Sequence, residues 1–181
     1  MNNLNIKTRP LLIAAGVGTV VLIVYSLIVN GISLAPILSG NYDPLNPSPV
    51  ALVLALLACI CIPIVDGGAG FLYTYLHSRE APVTVGDGAI GGAASGVIIH
   101  IIGGLFGACV GAVVTPLVLQ QTAANIPPDV AGAAMAGGIA GGLVGAVIGL
   151  CVGIVIGAAL GAIGGAVGGA VLNRGGRTAL A

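Results

Sequence analysis

Charge is what this sequence has least of. Five Lys and Arg and five Asp and Glu among 181 residues make it 6% charged, against about a quarter in an ordinary soluble domain. That is too little polar side chain to coat a water-soluble globule. Tryptophan is absent and aromatic residues make up 3%, so the usual anchors of a membrane–water boundary are scarce. With a net charge of zero and no basic run, nucleic acid is excluded as a partner, and so is a polybasic lipid-binding patch. The four cysteines, Cys59, Cys61, Cys109 and Cys151, all fall inside apolar runs. Cys59 and Cys61 stand two apart and point to nearly opposite faces of a helix, so they cannot clasp one metal ion. All four read as small apolar packing residues. No nucleophile–base pair, phosphate loop or ligand cluster is visible. Strings such as GDGAIG contain G-x-G-x-x-G, but none follows a βαβ pattern. The expectation is a protein without a catalytic or metal site.

What the chain has is apolar length and glycine. It is 57% hydrophobic, with mean hydropathy +1.17 and 32 glycines. Its apolar runs are long enough to cross about 30 Å of hydrocarbon. There an unpaired backbone N–H or C=O costs several kcal/mol, which leaves only a helix or a closed barrel. The runs are too long for barrel strands and lack strict alternation. The class is therefore all-α integral membrane, a single membrane domain over residues 1–181 with four transmembrane helices near 11–34, 50–75, 87–118 and 130–172.

The first run is too long for a signal peptide, and its only small-residue site, Ser33 and Ala35, is followed by Pro36. Residues 35–49 read as a loop on their proline, asparagine and glycine content. The second span brings Phe71, Tyr73 and Tyr75 to an interface. Thr115-Pro116 marks the far end of the third, and QQTAANIPPD follows as a polar loop. The last segment suits one helix of about 65 Å or two short crossings. Charge decides between them. Four spans put Lys7, Arg9, Arg79, Arg174 and Arg177, every basic residue of the chain, on one side, and the positive-inside rule makes that side cytoplasmic. Both termini are then cytoplasmic, in what reads as a bacterial plasma membrane.

Glycine recurs every fourth residue in three rows. Gly88, Gly92 and Gly96 open the third span, and Gly103, Gly107 and Gly111 follow. The fourth carries Gly137, Gly141, Gly145, Gly149, Gly153, Gly157, Gly161, Gly165 and Gly169. Each interior glycine costs a helix about 1 kcal/mol relative to alanine. Small residues at this spacing form a groove that a second helix backbone can enter, with right-handed crossing character. GAIGGA occurs at both Gly88–Ala93 and Gly161–Ala166. The expectation is a glycine-zipper antiparallel hairpin of helices 3 and 4, with the longer fourth helix keeping glycine face for another copy or another subunit. Chance recurrence in a Gly/Ala/Val-rich helix is the plainer account of the repeat.

Two ionisable residues fall within spans. Asp66, after Pro63 and before Gly67-Gly68, lies where the helix is expected to kink or break. It is either an intramembrane carboxylate of the kind that marks transport sites, or the N-cap of a new helical piece near the interface. The second reading asks less. His100 lies about 21 Å into the third span, and Asp66 about 14 Å from the same side, so on antiparallel neighbours they can meet and relay protons. A neutral histidine donating to a backbone carbonyl or to Ser95 is the plainer alternative. No cofactor is expected; haem or chlorin on His100 is the alternative, and the other histidine, His77, sits near an interface. Asp87 and Asp129 suit helix N-termini; Asp43 falls in a loop.

The functional expectation is a non-catalytic accessory subunit. It packs against and stabilises partner subunits of a larger membrane complex for respiratory or photosynthetic electron transport, or for transport. The alternative is a glycine-zipper homo-oligomer forming a pore or proton path with Asp66 and His100. An enzyme or small transporter of a lipid-soluble substrate ranks last.

Overall fold

The computed structural model describes residues 6–39, 49–123 and 128–178. They form four helices: α1 (Thr8–Leu38), α2 (Pro49–Ser78), α3 (Val85–Ala123) and α4 (Pro128–Thr178). All four are long and apolar enough to cross a membrane, with apolar stretches of 25, 23, 36 and 38 residues. The last segment is one helix of 51 residues, about 76 Å at 1.5 Å per residue. Where the sequence predicts ends, the helices run on. α3 continues through Pro116 to Ala123 and takes in the first part of the expected polar loop. α2 continues through Pro63, so the break expected at Asp66 does not occur. Asp66 caps no new helical piece; it is a mid-helix residue. A proline removes one N–H, whereas stopping a helix among apolar neighbours strands several backbone groups. α3 opens on a capping box. Thr84 Oγ1 accepts from the Asp87 N–H at 3.1 Å, and Asp87 Oδ2 accepts from the Thr84 N–H and hydroxyl at 3.2 and 2.7 Å. Asp129 lies in the first turn of α4, and Asp43 lies outside the described residues.

Glycine decides how the helices meet. A Cβ added at Gly88, Gly92 or Gly96 would overlap the carbonyl of Gly165, Gly161 or Gly157 in turn. The falling partner numbers make α3 and α4 antiparallel. At the end of this series a Cβ on Gly169 would lie 2.9 Å from Val85 Cα. A second row on α4 receives α2 running parallel to it. A Cβ on Gly164 would overlap the Gly67 carbonyl, and one on Gly168 would sit 3.0 Å from Thr74 Cβ. Thr74 Oγ1 lies 3.1 Å from both the Gly70 and Gly165 carbonyls, so its single proton is shared between its own helix and α4. Gly165 is thus touched from two sides. α1 packs on α2 and α3 and does not reach α4. Gly18 fits under Ile99, and Tyr25 donates to the Leu54 carbonyl at 2.8 Å.

The interior is built of small residues and the outside of large ones. Ala14, Ala15, Ala69, Tyr73 and Ile99 are the buried apolar residues, while Leu56, Ile64, Leu143 and Val155 are all more than 60% exposed. Cys59, Cys109 and Cys151 also face outward, contrary to the packing role expected of them. Such inversion suits a bilayer, where burying a leucine away from lipid tails gains little and close backbone approach gains dispersion. The rows do not close along their whole length. At Gly103, Gly107, Gly111, Gly137, Gly141, Gly145 and Gly149 an added Cβ would meet nothing within 4 Å. Leu150 covers Gly104 and Leu119 covers Gly138. Between those two contacts both helices line an open groove, and a Cβ on Gly142 would lie 4.0 Å from Thr115 Cγ2.

Candidate functional site

Asp66 has no solvent-exposed surface. It directly precedes Gly67, and Gly67 and Gly70 lie against the backbone of α4. Its position is about 18 Å from the α2 end at Ser78, and His100 stands about 22 Å from the start of α3. At that shared depth His100 Nδ1 approaches Asp66 Oδ1 to 3.6 Å. The histidine is admitted by glycines again: Gly153 and Gly157 of α4 leave the space that its ring occupies. His100 Nδ1 lies 3.1 Å from the Gly96 carbonyl one turn back. A carbonyl only accepts, so Nδ1 carries the proton and Nε2 is left as the acceptor.

The carboxylate is under-satisfied. Among the described residues, the buried side-chain polar atoms without a hydrogen-bond partner are both oxygens of Asp66 and Thr19 Oγ1. At 3.6 Å the His100 contact is an electrostatic one, longer than a hydrogen bond. Burying a carboxyl group with unmet acceptors costs several kcal/mol, and a helical bundle retains such a group only where packing around it is strongly favourable. An ionisable residue held in this way is a functional-site candidate on physical grounds. Among the described residues no third His, Cys, Asp or Glu side chain joins the pair, so the set is short of a metal site.

His100 joins the buried carboxylate to open space. Its side chain is 14% exposed. It lines a groove of about 600 Å³ between α3 and α4, bordered by Leu22 of α1, and a smaller one of about 280 Å³ beside Tyr25 and Ile62. Comparison with protein families, with characterised proteins and with solved structures gives no match. The functional reading therefore rests on the geometry of this chain.

A second polar group lies nearer the basic end. Tyr73 and His77 are buried against the neighbouring helices, with rings edge to face at 5.5 Å and His77 Nδ1 3.2 Å from the Tyr73 hydroxyl. The Tyr73 ring lies over Gly91. Phe71 and Tyr75 share the outward face, where Arg79 stacks 4.7 Å above the Tyr75 ring and donates to its hydroxyl. One hundred degrees per residue separates these faces, which a linear reading of three aromatics in a row passes over. His77 stands 11 residues, about 16 Å, along α2 from Asp66. It therefore cannot share a ligand with His100. Ser95 donates to the Gly92 carbonyl at 2.8 Å and takes no part in holding the histidine.

Proposed function

We propose that this chain is an integral membrane protein that passes protons through the Asp66–His100 pair. In this reading it lies in the membrane with both termini cytoplasmic, and α3 and α4 form a glycine-zipper hairpin within the bilayer. The observation that carries it is a fully buried carboxylate, both of its oxygens unpartnered, 3.6 Å from an imidazole that fronts open grooves. The chemistry follows from the tautomer. Nε2 of His100 accepts a proton from the groove, and Nδ1 releases its own to Asp66 Oδ1 across a gap that a small rotation closes. The ring is then the Nε2–H tautomer. The cycle closes when Oδ1 releases its proton onward to water, Nε2 loses its proton to water and Nδ1 takes one up, which restores the Nδ1–H form and its contact with the Gly96 carbonyl.

A second reading has its own support. The row Gly137, Gly141, Gly145 and Gly149 meets nothing within the chain, which favours an accessory subunit that presents this face to a partner or to a second copy.

The test is proton uptake into vesicles of the purified chain, driven by a potassium diffusion potential and read with an entrapped pH dye. The unaltered chain is expected to admit protons, with Asp66→Asn and His100→Gln each reducing the flux to that of empty vesicles. Equal flux from Asp66→Asn and the unaltered chain overturns the relay. No flux from a chain that purifies with stoichiometric unrelated subunits favours the accessory reading.

A further inference from the structure

The smaller cavity beside His100 is walled by α1, α2 and α3, and its other polar lining comes from α1: Tyr25, Ser26 and Asn30. Ser26 and Asn30 continue a line that starts at Thr19, whose buried Oγ1 has no hydrogen-bond partner. At 100° per residue the three positions fall within about 40° of one another around α1. Packing sets their depth. A Cβ on Gly18 would meet Ile99 and Ala69, which puts Thr19 level with His100 on the parallel helix α3. Asn30 stands about 16 Å further along, two residues short of Ile32, where the apolar stretch of α1 ends. The cavity therefore joins His100 to the edge of the apolar region at the end opposite the basic residues. In the other direction Tyr73, Thr74 and His77 are buried where the helices pack closest.

This lining suits water. Water persists in a cavity that is roomy and offers it two to four polar partners. The Tyr25 hydroxyl donates to the Leu54 carbonyl at 2.8 Å, so towards the cavity its oxygen accepts. Asn30 Nδ2 donates to the Ser26 carbonyl at 2.7 Å and lies 3.2 Å from Ser26 Oγ, which holds these two side chains one turn apart. A water carrying an extra proton donates all its hydrogens and so needs acceptors, which the oxygens of Tyr25, Ser26 and Asn30 supply. The α3–α4 groove differs. Its polar lining side chains are His100 and Thr115, and apolar walls of that kind expel a water chain.

We infer that protons enter through the α1–α2–α3 cavity, from the end opposite the basic residues, over water held by Asn30, Ser26 and Tyr25, and that the α3–α4 groove does not carry them. A cavity water that has received a proton from the far side passes it to His100 and is left neutral. The inference rests on the proposed relay for its cargo and adds the side of entry and the residues that line it.

The test is thiol accessibility in the full chain with Cys59, Cys61, Cys109 and Cys151 replaced by alanine. Membrane vesicles of each orientation are treated with a charged methanethiosulfonate that does not cross the bilayer. Ser26→Cys and Asn30→Cys are expected to react from the side opposite a C-terminal tag, Asn30→Cys the faster. Val24→Cys, on the exposed opposite face of α1, and Gly107→Cys, in the α3–α4 groove, should each react at least about tenfold more slowly than Ser26→Cys, because a thiol in apolar surroundings stays protonated. Modification of Ser26→Cys should bring the proton flux down to that of empty vesicles. Asn30→Leu, which makes the mouth apolar, should lower flux about fivefold, with helical content and elution volume unchanged. Equal rates at Ser26→Cys and Val24→Cys overturn the inference. So does faster reaction at Gly107→Cys, or reaction from the tagged side alone. Flux that persists in Asn30→Leu while Ser26→Cys stays unlabelled overturns this entry route and leaves the relay standing. Labelling of Ser26→Cys in a chain that passes no protons removes the relay and keeps the water path, so the two fail separately.

Discussion

Glycine and alanine differ by one methyl group, and in this chain that methyl group has opposite effects at sites along one helix. At Gly161 it would overlap the Gly92 carbonyl, and at Gly145 it would stand free. Gly161→Ala should therefore force α3 and α4 apart and destabilise the fold by about 1–3 kcal/mol. Gly145→Ala should stabilise it by up to about 1 kcal/mol through helix propensity alone. Thermal unfolding of the detergent-solubilised protein, followed by circular dichroism, checks both signs. The sequence shows the two glycines as members of one row, since spacing records which residues share a face and not where the neighbouring helix leaves it. Asp66 and His100 were legible as a pair because ionisable residues are rare in apolar runs and their depths could be counted. The continuity of α2 through Pro63 was not legible. Local rules weigh proline and glycine against the helix, whereas the surrounding apolar packing removes every alternative partner for the backbone.

At the scale of the helix, α2 is the element least readable in advance. The sequence predicts a kink or break at Asp66, yet Gly67 and Gly70 just beyond it are the surface that meets α4. A signal was present: the doublets Gly164-Gly165 and Gly168-Gly169 put bare backbone on two adjacent faces, enough for two neighbours, and Gly70 with Thr74 repeats the small-xxx-small spacing. The Thr74 hydroxyl ties the three helices through the Gly165 carbonyl. Thr74→Val should cost about 1 kcal/mol, the net worth of a hydrogen bond, while Thr74→Ser keeps the donor and most of the stability. A fall in the thermal midpoint for valine that serine avoids is the expected result. Equal midpoints would assign the contact to packing alone.

Across the whole molecule the four helices share one level at the basic end and part company at the other. Lys7 and Arg79 lie where α1 begins and α2 ends, and α4 closes at the same end, its last turns carrying Arg174 and Arg177. Charge segregated in this way orients a bundle, because basic residues resist crossing. A reporter enzyme fused after Ala181 should accordingly read as cytoplasmic in intact cells, and an external reading would reverse the proposed orientation. Away from that end, α3 and α4 carry apolar stretches of 36 and 38 residues beside 25 and 23 in α1 and α2. Beyond His100 the pair opens into the groove, with Leu22 of α1 at its border.

The amino-acid sequence by itself determined that the chain is helical and apolar, how many long helices it forms, and where charge and bare backbone fall along them. Hydrocarbon-length runs and the need to pair every peptide group suffice for that. Only the tertiary structure decided which glycines are filled and which stay open, that α2 shares α4 with α3, and that Asp66 meets His100 with its oxygens unmet. A glycine row accepts any helix that fits it. The rotations and separations of all four helices together, rather than any local preference, select the partner.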